Sequence, residues 1–138
     1  MTPSVAQLLR GVAATLATPL PPEAGPSYAA SRNGMIGTLA ALCIQEADRA
    51  VGVRLWENTA IRGLLTEAAG AYPDHIPPAA PNPPELSISA LDVINADLRR
   101  RLIALHETAE VARDQALDHK ILRLYREMAQ ARRLTLGG

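Results

Sequence analysis

Four polar residues, Asn95, Arg99, His106 and Glu110, follow one another at spacings of four, seven and four. On a helix that spacing gathers them into a ribbon along one edge of the apolar stripe Leu91, Leu98, Leu102, Leu105 and Ala109. His106 and Glu110 stand one turn apart, so the carboxylate can bond the imidazole, orient it and raise its basicity. An imidazole held in that way is suited to general-base work. The same ribbon also reads as the solvated boundary of an amphipathic surface helix.

Glu57 is the second anomaly. It falls in the middle of the stripe Val53, Ala60, Ile61, Leu64 and Ala68, with Asn58 and Arg62 on the flank as an i, i+4 pair. An unpaired buried carboxylate costs several kcal/mol. Glu57 therefore calls for a cation from Arg32, Arg62 or Arg99, with His106 expected in the same cavity or its wall. If a helix instead starts at Asn58 as its cap, Glu57 lies outside it and the conflict disappears. Upstream, Arg32 and Glu46 intrude on the apolar sector Met35, Ile36, Leu39, Cys43 and Ala47. Fourteen helical residues separate them by about 21 Å, so each must find its partner on another helix.

Other chemistries find no support in the spacing. No Glu-x-x-His motif of the di-iron bundle kind occurs, His75 lies among prolines, and Asp118 and His119 point away from the line Leu117, Ile121, Tyr125 and Met128 or sit at its rim. No metal and no cofactor is expected. There is no glycine-rich phosphate loop. The lone Cys43 reads as a small buried hydrophobe. Arg99, Arg100 and Arg101 face several directions without interleaved aromatics, and fourteen basic residues balance fourteen acidic ones, which argues against a nucleic-acid partner.

The elements that must position these residues are helices. Prolines cut the chain into blocks at two linkers, residues 19–26 and 73–84, where the missing N–H and the ring clash exclude helix interior. Helices are predicted near 3–17, 27–50, 53–71, 87–110 and 113–133, with the second ending near Gly52. The first is capped by Thr2 ahead of Pro3, or by a Ser4/Gln7 capping box. Ser87 or Ser89 opens the fourth. The long proline-rich linker is expected to lie extended on the surface between helices that are not immediate neighbours. No segment alternates long enough for a strand. The chain has no Phe, one Trp and, by count, 25 Ala, which suits close helix packing and not a β-sandwich. The expected fold is one all-α domain, an antiparallel bundle of four or five helices with a proline-rich connection.

Length and hydrophobic content, 138 residues and 48%, fit a folded domain and exclude a highly charged disordered chain. No membrane span or signal peptide is visible, so a cytoplasmic protein is expected. Arg outnumbers Lys thirteen to one, a bias that with the alanines points to a GC-rich bacterial genome.

Two stretches carry a resemblance. Leu55-Trp56-Glu57-Asn58 with Ile61-Arg62-Gly63-Leu64-Leu65 resembles an E-N-x-x-L-R-x-L-L pattern. Asn95-Ala96-Asp97-Leu98-Arg99 through Leu102-Ile103-Ala104-Leu105-His106 and Glu110 resembles N-x-x-L-R-x-x-L-I-x-L-H-x-x-x-E. Together they resemble, over roughly residues 30–134, a family of short uncharacterised bacterial proteins encoded beside acyl-CoA dehydrogenases and aminoglycoside-phosphotransferase-like kinases. The resemblance implies a metabolic neighbourhood and no reaction. It marks Glu57, Asn58, Arg62, Asn95, Arg99, His106 and Glu110, all flagged by helix projection as well. The functional expectation is a small non-catalytic accessory or interaction protein for an enzyme of acyl-CoA or alcohol catabolism. Zero net charge removes a barrier to self-association, so a homodimer is expected. The alternative is a small enzyme or ligand-binding bundle with a polar cleft between helices two, three and four.

Overall fold

Side-chain caps and a left-handed residue set the helix ends. In the computed structural model, which describes residues 4–135, Ser4 caps α1 (Val5–Ala17) in a reciprocal capping box with Gln7. The alternative start at Thr2 and Pro3 lies outside the described residues. α2 covers Pro26–Ala68. A short 3-10 turn, Pro73–His75, interrupts the proline-rich connection. Ser87 caps α3 (Ile88–Ala112), accepting from the Ala90 amide at 3.3 Å. Arg113 ends α3 in the left-handed region at φ 57°, and Asp114 caps α4 (Gln115–Ala131) by accepting from the Leu117 amide at 3.0 Å. The described residues form no strand, and the all-α bundle with its proline-containing connection is the fold.

The predicted second and third helices are one. α2 runs 43 residues without a break at Gly52. A lone glycine costs a helix only about 1 kcal/mol, no proline accompanies it, and the Arg54 side chain bonds the Ala50 carbonyl at 3.0 Å across that turn. At the other boundaries the helices differ from their predicted ends by up to three residues.

The chain divides into two compact units: residues up to Arg49 together with those from Arg133 on, and Ala50–Arg132. In the first, α1 lies antiparallel to the early part of α2. Arg32 donates to the Thr15 carbonyl, and Gly11 faces Leu39, whose Cδ1 would stand 3.9 Å from an added Cβ. Leu8 and Cys43 are buried here, whereas Met35, expected in the apolar sector, is half exposed. Gln45 bonds both the amide and the carbonyl of Thr135, and Arg49 donates to the Arg133 carbonyl at 2.9 Å.

In the second unit the last turns of α2 pack with α3 and α4 around Ile61, Leu65, Leu98, Leu102, Leu105, Ile121 and Met128. Their relative directions follow from the bonds. Arg54 meets Asp92 and Glu57 meets Asn95, both 38 residues apart, so α2 and α3 run parallel. Separations between α2 and α4 shrink from 75 residues at Glu57–Arg132 to 53 at Glu67–Lys120, so α4 is antiparallel to α2 and therefore to α3.

Parallel neighbours need a connection that travels back the length of a helix, which accounts for the long proline-rich segment. It joins adjacent helices, not distant ones as the linker length suggests. Its path is pinned by successive bonds: Tyr72 Oη to Asp114 at 3.0 Å, His75 Nε2 with Thr108 Oγ1 at 3.1 Å, and the Pro78 carbonyl with Arg62. Prolines supply no N–H but keep their carbonyls. Arginines that donate to carbonyls are therefore the natural fasteners for such a segment.

Candidate functional site

Glu57 occupies the inner face of α2 with 0% exposure and gathers donors from both other helices of its unit. Arg132, just past the end of α4, donates from Nε to Oε1 at 2.7 Å and from Nη2 to Oε2 at 2.8 Å. This is the two-pronged geometry that makes arginine a strong carboxylate partner. Arg99 Nη2 lies at 3.3 and 3.2 Å from the two oxygens, and Asn95 Nδ2 donates to Oε2 at 2.9 Å. The asparagines complete the set. Asn95 Nδ2 also donates to Asn58 Oδ1 at 2.9 Å, Asn95 Oδ1 accepts from Arg132 at 3.2 Å, and Asn58 Nδ2 donates to the Leu91 carbonyl at 3.4 Å. Each amide is thus oriented by its neighbours.

Burial alone pushes the Glu57 carboxyl up. The bonds and charge of Arg132, joined by Arg99, outweigh it and hold the group below its ordinary value. A carboxylate held ionised by two guanidiniums, with both oxygens engaged, is a weak base and a shielded nucleophile. Its arrangement suits holding three helices in register.

The sequence-predicted cation for Glu57 is present in Arg99, but the closer partner is Arg132, which is not among the sequence candidates. Continuing the buried line Leu117, Ile121, Leu124 and Met128 by four residues lands on Arg132, which is the signal that identifies it. Arg62 does not join the cluster; it fastens Pro78. Arg32 is engaged with Thr15 in the first unit, and Glu46 is buried in that unit. A second buried cation, paired with a partly exposed carboxylate, escaped projection. Arg54, 3% exposed, bonds Asp92 at 2.6 Å although it stands seven residues before Ile61 on the same stripe.

His106 forms a separate cluster. It lies eleven residues beyond Asn95, roughly 16 Å along α3, so it does not line the cavity of Glu57. Its Nε2 stands 2.8 Å from Asp118 Oδ1 on α4 and 3.9 Å from Glu110 Oε1. The expected His106–Glu110 hydrogen bond is therefore replaced by one to Asp118, because the antiparallel helix presents its carboxylate more closely than the adjacent turn does. Tyr125 meets the imidazole edge-on at 5.6 Å. Asp118 shares a face with Tyr125, seven residues on, which places it toward α3 at the rim of the core line, the second of the two placements the sequence allows.

No protein-family model, curated protein or solved structure matches this chain. Among the described residues, no helix is long and apolar enough to cross a membrane.

Proposed function

We propose that this protein is a non-catalytic helical interaction module that self-associates through its first unit. The observation that carries the reading is the apolar surface of that unit. Leu9, Leu16, Tyr28, Met35 and Ile44 are each more than half exposed in a unit whose buried side chains include Leu8, Cys43 and Glu46. A two-helix unit has no third layer to cover both its sides, and a second copy supplies one. The occupied bonds of Glu57 support the same reading, since they leave the most conspicuous buried carboxylate no free acceptor for a substrate. The class of enzyme it would accompany follows from the sequence resemblance alone: one acting on acyl-CoA or alcohol substrates.

Size-exclusion chromatography with light scattering tests the association at micromolar protein. The expected species is a dimer, converted to monomer by Leu16→Glu with Met35→Glu. A wild-type chain eluting as a clean 14.7 kDa monomer contradicts it.

A further inference from the structure

The three groups that meet at the α3–α4 interface have the composition of a metal site. His106 Nε2 and carboxylate oxygens of Glu110 and Asp118 all lie within 4.8 Å of one another. Two come from successive turns of α3 and the third from the antiparallel helix, so the set spans two elements whose relative position the core fixes. We propose that His106, Glu110 and Asp118 bind a divalent zinc ion.

The donor spacing suits the ion. At metal–ligand lengths of about 2.0–2.2 Å, tetrahedral donors stand about 3.3–3.6 Å apart. The His106–Asp118 and His106–Glu110 distances, 2.8 and 3.9 Å, fall on either side of that spacing. Asp118 must draw back from Nε2 by about half an ångström, and the Glu110 side chain, 64% exposed, is free to close the other gap. The imidazole already turns Nε2 toward Asp118, and Tyr125 packs against its ring at 5.6 Å. Imidazole nitrogen with two carboxylates favours zinc over magnesium or calcium, which prefer all-oxygen shells. Glu110 and Asp118 also line a hollow of about 270 Å³ with Asp114 and Arg113, so their carboxylates are reached from solvent. No Glu-x-x-His motif marks this site, because its third ligand comes from the next helix.

A zinc-bound pair of helices is clipped at the end farthest from Glu57, where the α3–α4 turn begins. The inference is independent of self-association and survives if the chain is a monomer.

Calorimetric titration of the metal-free full chain with zinc chloride tests it. The expected result is one ion per chain, with a thermal midpoint that rises as zinc is added. Glu110→Gln and Asp118→Asn should each weaken binding about tenfold or more, since losing a ligand costs at least what losing an outer-shell partner does. Both are isosteres, Glu110 exposed and Asp118 part-buried, and circular dichroism checks that they remain folded. His75→Gln and His119→Gln should leave affinity unchanged, and magnesium should not compete. No saturable uptake at micromolar zinc overturns the proposal. So does uptake indifferent to Glu110→Gln and Asp118→Asn, or uptake lost with His75 or His119.

Discussion

Arg132 closes a two-bond fork on Glu57 across 75 residues of chain, with N–O distances of 2.7 and 2.8 Å. The fork ties the tail of α4 to the middle of α2, and Asn95 and Arg99 bring α3 into the same network. The two arginines are not equivalent. Arg132 is 20% exposed and doubly bonded, whereas Arg99 is 40% exposed and reaches the carboxylate with a single nitrogen at 3.2 Å. Replacing Arg132 with Met is expected to lower stability by about 3–5 kcal/mol, the usual result of stranding a buried charge. For Arg99→Met, solvent screening limits the loss to about 1 kcal/mol. Urea denaturation of the two variants checks the ranking, and equal losses would contradict it.

The acid limb of stability should carry the signature of Glu57. Its folded pKa lies below the ordinary 4.5, because the two arginines outweigh burial. The contribution is therefore fully present above that value and is lost as pH falls through the folded pKa. Asp97, held down by its hydrogen bond to Arg101, and Asp114, held down by the Leu117 amide, act in the same direction. Comparing wild type with Glu57→Gln isolates the one group. Stability measured from pH 7 to pH 3 should fall less steeply in the variant.

Continuity of α2 makes a prediction at Gly52. A Cβ added there meets nothing within 4 Å, and no positive φ constrains the residue. Gly52→Ala should stabilise the protein by about 0.5–1 kcal/mol, the propensity difference in a helix interior. A helix broken at Gly52 would lose stability with alanine, and a thermal melt distinguishes the two.

Arg113 offers the converse case. It holds φ 57° at the end of α3 and is exposed. The left-handed conformation costs an L residue about 1–2 kcal/mol, partly offset by the extra chain freedom glycine must lose. Arg113→Gly should therefore raise stability by about 0.5–1 kcal/mol, read from the denaturation midpoint.

Much of this was legible in the residues. The helical content, the capping box at Ser4, the α3 stripe and the need of Glu57 for an arginine all followed from periodicity and the high cost of burying charge. What escaped has a common physical origin. Helix projection ranks faces within one element, but Arg132 and Asp118 acquire their roles from the neighbour across the interface. The parallel run of α2 and α3 is likewise invisible to periodicity; only the length of the proline segment hints at it. Gly52 resembles a helix stop because glycine is a weak helix former, but no proline or cap accompanies it.

The polar cluster around Glu57 holds three helices together. Glu57→Gln tests it most directly, since the side chain keeps its shape and loses only its charge and one acceptor. Urea denaturation at pH 7 should show the midpoint of a folded, helical variant shifted down by about 3–5 kcal/mol of stability at unchanged slope. A midpoint equal to wild type within error would contradict the account.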